Sequence, residues 1–260
     1  MNNWRAFLFL VVVILPTAGQ QPLTRAHAHN DYEHPRALFD ALDQGFNSIE
    51  PDIYLVNGDL LVAHNREDCR PERNLEKLYL APLKKRFDEH KQIIPGLKTL
   101  ILLIDIKSDA VPTYQTLEKQ IETYKSMLTE FEGDTIKTNA VTIILSGNRP
   151  RDYVAKQNKR WVAIDGRLPD LDENPPRSLV PLISDNWATH FSWTSGPLPE
   201  SQVNRLNEIV AKAHQQGRIL RFWAIPDKEE AWDLLYNSKV DLINTDHLAE
   251  LAAFLRAKAQ

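Results

Sequence analysis

Two short stretches carry acids and bases at a spacing that brings them together. Glu50-Pro51-Asp52 puts two carboxylates two residues apart, and Asp105-Ile106-Lys107 puts a carboxylate and an amine the same distance apart. Residues i and i+2 of a β-strand point to the same side. Each pair therefore projects into one space if its stretch is a strand. Three carboxylates converging on one point repel one another unless a cation lies between them. Hard oxygen donors select Mg²⁺ or Ca²⁺ over softer metals. Glu50, Asp52 and Asp105 are thus the candidate ligands of one divalent cation. As solvated charges at strand ends they would need none, but inward-facing positions make three unpartnered carboxylates costly.

Histidine changes charge near neutral pH, so two of them can act as base and acid in one reaction. His29 closes the first apolar run of the chain, and His64 closes the short run Leu60 to Ala63. Both fall beside the acidic trio and form the candidate acid–base pair. His27 lies one layer deeper on the same face and is expected to be a core or supporting residue. His34, His90, His190, His214 and His247 fall on expected helices or loops and receive no role. Lys107 has two readings, a point charge that steadies a phosphate oxygen or a structural partner of Asp105 or Glu50. Trp223 likewise either walls the site or packs in the core. Cys69, the single cysteine, sits in a polar stretch and is read as a bystander. With one cysteine, no intramolecular disulfide can form.

Such groups need elements that hold them at one place. Short apolar runs alternate with helical patterns, the signature of βα units and a parallel sheet. Eight strands are expected, at 23–29, 48–55, 100–106, 140–145, 160–164, 180–184, 218–224 and 240–245. Helices are expected near 34–44, 74–90, 114–131, 150–157, 200–216, 228–237 and 247–258, and the Pro- and Asp-rich stretch from Arg167 to Arg177 reads as a loop. Eight units in about 240 residues predict a single (β/α)8 TIM barrel. Its reactive groups gather at the C-terminal ends of the strands, where His29, Glu50, Asp52, Asp105, Lys107 and Asp246 all fall. A doubly wound open sheet is the competing architecture, and no Gly-rich fingerprint follows the first strand to support it.

The chain has 260 residues, 43% hydrophobic and 25% charged, with a formal net charge of −4. That balance suits a globular domain and offers no bulk attraction to nucleic acid or an anionic membrane. Asn2 to Arg5, then the apolar run Ala6 to Pro16 and the small residues Thr17-Ala18-Gly19, have the layout of a secretory signal peptide. Residues 1–19 are therefore expected to be removed on export, leaving 20–260 as the domain. The apolar run is short for a membrane span, so none is expected after cleavage. The expected location is periplasmic or extracellular.

His29-Asn30-Asp31-Tyr32, Ala41-Leu42-Asp43-Gln44-Gly45-Phe46, Glu50-Pro51-Asp52 and Leu61-Val62-Ala63-His64 together resemble the glycerophosphodiester phosphodiesterase and phosphatidylinositol phospholipase C-like superfamily. The likeness is greatest to its His-Asn-Asp-Tyr branch of bacterial and fungal members. Asp105-Ile106-Lys107 is similar to the Asp-x-Lys of spider-venom sphingomyelinases in the same superfamily. The resemblance implies a TIM barrel, one divalent cation on Glu50, Asp52 and Asp105, and general acid–base roles for His29 and His64. It implies a small phosphodiester or a phospholipid head group as substrate. Two departures stand out. Glycerophosphodiesterases commonly follow the first histidine with Arg-Gly where this chain has Asn30-Asp31, and many members have Glu where Asp105 stands. An amidohydrolase-type metal hydrolase, suggested by His27-Ala28-His29 and Asp246, and a non-catalytic binding barrel remain as alternatives.

Overall fold

The computed structural model describes residues 21–259. The signal-peptide expectation for residues 1–19 lies outside them. Thirteen strands and nine α-helices follow in chain order among the described residues. The barrel strands are β1 (Leu23–Ala28) and β2 (Phe46–Ile49), then β5 (Leu100–Ile106), β8 (Val141–Gly147), β10 (Val162–Gly166), β11 (Leu182–Asn186), β12 (Ile219–Trp223) and β13 (Ile243–Thr245). Between them lie β3 (Asp52–Val56), β4 (Asp59–Val62), β6 (Glu130–Glu132), β7 (Thr135–Lys137) and β9 (Lys159–Arg160). The main sheet runs β12-β11-β10-β8-β5-β2-β1-β13, parallel throughout. It nearly closes through a single parallel bridge, Arg221 to Leu242, between its two edges. The architecture is the eight-stranded barrel expected from the alternating pattern.

Strand β5 shows how sequence dictates the layering. Leu100, Leu102, Ile104 and Ile106 point outward into the core shared with the helices. Ile101 and Leu103 point inward, where they meet Ile144, Ala163, Leu182 and Leu242. The next inward position is Asp105. The barrel interior is thus apolar at its N-terminal end and polar at its mouth, as period-2 alternation on a strand buried on both faces requires. Phe131 of β6 joins the inner cluster and caps its lower end.

The expected strand 48–55 is two. It breaks at Glu50-Pro51, because proline has no N–H to give to the ladder, and resumes as β3 beside β5. Proline trims the strand expected at 180–184 in the same way: Pro181 stays outside and β11 runs Leu182–Asn186. The expected helix 114–131 is corrected more strongly. Helix α3 covers Ala110–Ile121, a tighter turn runs to Met127, and Glu130 to Lys137 forms the β6–β7 hairpin. Gly133 and Asp134, flanked by alternating residues, make its two-residue turn. The helix expected at 34–44 shrinks to α1 (Phe39–Asp43), preceded by Leu38 with φ 69°. The loop Arg167 to Arg177 holds one short helical turn, Asp170–Glu173.

Candidate active site

Strand register builds the site before any side chain is considered. Asp52 on β3 pairs directly with Asp105 on β5, so their carboxylates stand side by side. Glu50 precedes Asp52 by two residues across Pro51. One potential ligand atom from each of Glu50, Asp52 and Asp105 lies within 4.8 Å of the others. Glycine makes room for the third. Gly147 on the next strand has φ +63°, and a Cβ there would stand 2.0 Å from Asp105 Oδ1. The β3–β4 hairpin, turned by Asn57 and Gly58 at φ 52° and 91°, folds His64 back to the same mouth. Two left-handed residues in a two-residue loop match the right-handed strand twist, which is why Asn-Gly suits it.

Each carboxylate lives in a different field. Glu50 is 5% exposed. Its Oε2 accepts from Arg221 Nη2 at 2.6 Å and from His27 Nε2 at 2.7 Å. Burial pushes its pKa up, but Arg221 and then His27 outweigh burial and hold it well below the usual carboxylate range. An ionised Glu50 only accepts, so His27 donates from Nε2 and accepts on Nδ1 from Ser48 Oγ at 2.7 Å. Burial, aided by the Arg221 charge, lowers His27 to about 4, which keeps it neutral in that role. Asp52 is fully buried; its Oδ2 accepts from Tyr32 Oη at 2.8 Å, while its Oδ1 has no partner. Lys107 Nζ lies 3.2 Å from both Asp52 and Asp105. Burial raises Asp52 and takes Asp105 to about 6; Lys107 opposes both shifts, and the neighbouring carboxylates add to them.

Three carboxylates against Lys107 and Arg221 leave one negative charge uncompensated in a buried space. The orphaned Asp52 Oδ1, and the burial and crowding of carboxylates that raise Asp105, are what a hard cation would relieve. The donor set fits such an ion, with Glu50, Asp52 and Asp105 as its ligands.

The histidines frame this cluster. His29 Nδ1 bonds Asp246 Oδ1 at 2.8 Å. Burial works against charge on His29, but the hydrogen bond to Asp246 and the Glu50 charge carry its pKa above normal, and the same bond lowers Asp246. His64 Nδ1 lies 3.3 Å from Tyr32 Oη and 3.4 Å from Asp52 Oδ2. Neither Nε2 is hydrogen-bonded among the described residues, so both edges are left for a substrate. His29, His64, Lys107 and Trp223 line one cavity of about 260 Å³ with Glu50 and Asp105. Trp223 is therefore a wall of the mouth.

Reading the chain alone missed several partners. Arg221 is 2% exposed within Ile219–Trp223, and a lone arginine inside an apolar strand signals a buried acid facing it. Tyr32, 1% exposed, was legible only as a motif letter. Asp31 beside it accepts from Leu38 N at 2.5 Å and Tyr79 Oη at 2.8 Å, pinning the loop that carries Tyr32. Ser146 and Arg167 had no sequence signal. Histidines outside the cavity stay outside it: His190 pairs with Asp185 and His214 with Asp241.

A near-closed parallel barrel with acids and histidines at its C-terminal mouth is the framework of a TIM-barrel hydrolase. The chain belongs to the AIM6-like phosphodiesterase domain family, which it matches over residues 17–165. It is 28% identical over 270 residues to altered inheritance of mitochondria protein 6 of Eremothecium gossypii, covering 89% of this chain and 69% of the relative. The same protein of Lachancea thermotolerans is 30% identical over 284 residues, covering 90% and 66% respectively. Among solved structures, a calcium-dependent phosphoinositol-specific phospholipase C from a Pseudomonas species shares the fold, with a TM-score of 0.58 at 15% identity. That match covers 91% of this chain and 94% of the phospholipase.

Proposed function

We propose that the chain is a divalent-cation-dependent phosphoric diester hydrolase in which His29 and His64 exchange protons with the attacking and leaving oxygens. The observation that carries this is the cavity itself: three converging carboxylates flanked by two histidines, each anchored through Nδ1 and open at Nε2. The phosphodiesterase family supports the reaction class.

In this reading His29 Nε2 takes the proton of the attacking hydroxyl, and Asp246 stabilises the imidazolium that forms. His64 Nε2 gives a proton to the leaving alkoxide, while Tyr32 holds the far side of its ring. Lys107, fixed between Asp52 and Asp105, presents a positive charge where negative charge builds on the phosphoryl group. A cation on Glu50, Asp52 and Asp105 supplies further positive charge against the phosphate. The His27–Glu50–Arg221 network holds Glu50 ionised and oriented. Both nitrogens of His27 are occupied, so it is not free to ligate metal as an amidohydrolase would need. The substrate is a small soluble diester or a phospholipid head group. No described helix is long and apolar enough to cross a membrane. The proposal includes export with cleavage after Gly19, which sequencing the N-terminus of exported protein would test.

The test is hydrolysis of bis(p-nitrophenyl) phosphate after EDTA treatment, then with Mg²⁺ or Ca²⁺ restored, beside Asp52→Asn and His29→Ala. Cation-dependent turnover that both variants lose is expected, with His29→Ala down by about 10²-fold or more. Turnover indifferent to EDTA would overturn the metal role.

A further inference from the structure

The cavity has two sides of opposite charge. On one side stand the carboxylates, with Lys107 and Arg221 already paired to them at 3.2 and 2.6 Å. On the other stands Arg167, which follows β10 and lines the same cavity. Its Nη1 alone anchors it, donating to Asp165 Oδ2 at 2.8 Å, Gly166 O at 2.8 Å and Ser184 O at 3.2 Å. Asp165 is fully buried and fixed by Ser146 Oγ at 2.8 Å and Ser184 Oγ at 2.5 Å. The Nε and Nη2 donors of Arg167 bond nothing among the described residues, and its side chain is 29% exposed. A guanidinium held rigidly by one nitrogen, with its other edge free, is preorganised for an oxyanion.

Arg149 strengthens the case. Its Nη1 donates to Gly147 O at 3.0 Å, its Nε is buried without a partner, and no carboxylate pairs with it among the described residues. Asp170, the other carboxylate near Arg149, is taken up by Arg151, so Arg149 and Arg167 against Asp165 leave this side one charge positive. Strand β10 lies two strands beyond β5, about 10 Å along the sheet at the usual ~4.8 Å spacing. Arg167 borders the same cavity from this part of the sheet, so a ligand gripped by one phosphate at the carboxylate side can extend a second anion to its free edge. A charge excess that is fixed before binding selects a ligand of matching pattern.

We infer that Arg167, backed by Arg149, forms a second anion subsite, and that the preferred substrates are phosphodiesters one of whose alcohols carries a further phosphate. This rests on the diesterase reading for the first subsite only.

Calorimetry of the 20–260 protein in one Mg²⁺ buffer, titrated with propyl phosphate and with pentane-1,5-diol bisphosphate, tests it. The wild type is expected to bind the bisphosphate at least tenfold more tightly. Arg167→Gln is expected to erase that preference chiefly by weakening the bisphosphate. Because loss of Arg167 leaves Asp165 buried without its ion pair, Arg167→Lys serves as a second variant. It keeps the charge beside Asp165, lacks the free fork, and is expected to lose the preference as well. No preference in the wild type, or a preference that survives both variants, overturns the subsite. Equal weakening of both ligands also overturns it, since Arg167 would then serve the shared phosphate. Preference in a protein that hydrolyses no diester would overturn the hydrolase reading and leave the subsite standing.

Discussion

His29 and Asp246 show how one contact sets both protonation and stability. Their hydrogen bond raises the histidine and lowers the aspartate. In the proposed mechanism His29 is the base and must be neutral in the free protein, so a raised His29 should move the acid limb of the kcat/KM profile upward. Asp246→Asn removes the raising partner and should shift that limb to lower pH, measured on bis(p-nitrophenyl) phosphate. A raised histidine stabilises the fold below about pH 6.5 and loses that contribution as pH rises through its folded pKa. A lowered aspartate stabilises above about pH 3.9 and loses its contribution as pH falls through its own folded pKa. The pair should therefore stabilise most between those limits, seen as the gap in Tm between wild type and Asp246→Asn across pH. Asp246 is 57% exposed, so screening keeps that gap small. Tyr32→Phe tests a different contact. It leaves Asp52 with one fewer donor, and a cost of about 1–3 kcal/mol is expected in urea unfolding.

At the level of elements, the site depends on backbone that lets side chains approach. Gly147→Ala would force an L-residue into φ +63° and drive its methyl into Asp105. A loss of at least about 2 kcal/mol is expected, together with loss of the Tm increase that the proposed cation site should give the wild type in Mg²⁺ or Ca²⁺. An unchanged cation response in a folded variant would show that Asp105 is no ligand. The long strands and helices were legible because their periodicity is local: β5 occupies the stretch where it was expected, and the helix Glu200–Gln215 ends one residue short of its expectation. So were the acids and histidines, whose i, i+2 spacing survives the break at Pro51. Short elements were not. The helix expected at 34–44 gave way because Asp31 draws Leu38 N into a side-chain bond that no local pattern announces. The β6–β7 hairpin was hidden because the expected helix 114–131 took in Glu130-Phe131, although Gly133-Asp134 marks a turn two residues on. That Arg221 meets Glu50, and that Arg167 reaches the same cavity, is set by pairing between strands far apart in sequence, which one chain read alone does not encode.

The whole barrel separates its foundation from its chemistry. Phe131 fills the lower end of the interior, at the far end from the cavity. Phe131→Ala should cost about 3–5 kcal/mol in denaturant unfolding, while the folded variant should match the wild type in the proposed cation-dependent turnover. Parallel loss of activity per folded molecule would show that the lower layer also shapes the mouth. The edges of the sheet meet far more thinly than its centre. Strands β5 and β8 share seven register pairs, whereas β12 and β13 meet at one bridge, where Asp241 N and Leu242 N both donate to Leu220 O. Two side chains span that junction: Asp241, whose Oδ2 accepts from Leu220 N at 2.8 Å, and Arg221, bonded to Asn244 on one side and to Glu50 across the interior. The barrel is thus a hoop fastened by side-chain clasps, and the Arg221 clasp sits in the cavity at its mouth. Breathing should begin there: amides of Ile243–Thr245 should exchange with deuterium ahead of those in β5, a ligand gripping Glu50 should slow them, and Arg221→Met should let the hoop spring open well before the rest of the molecule unfolds.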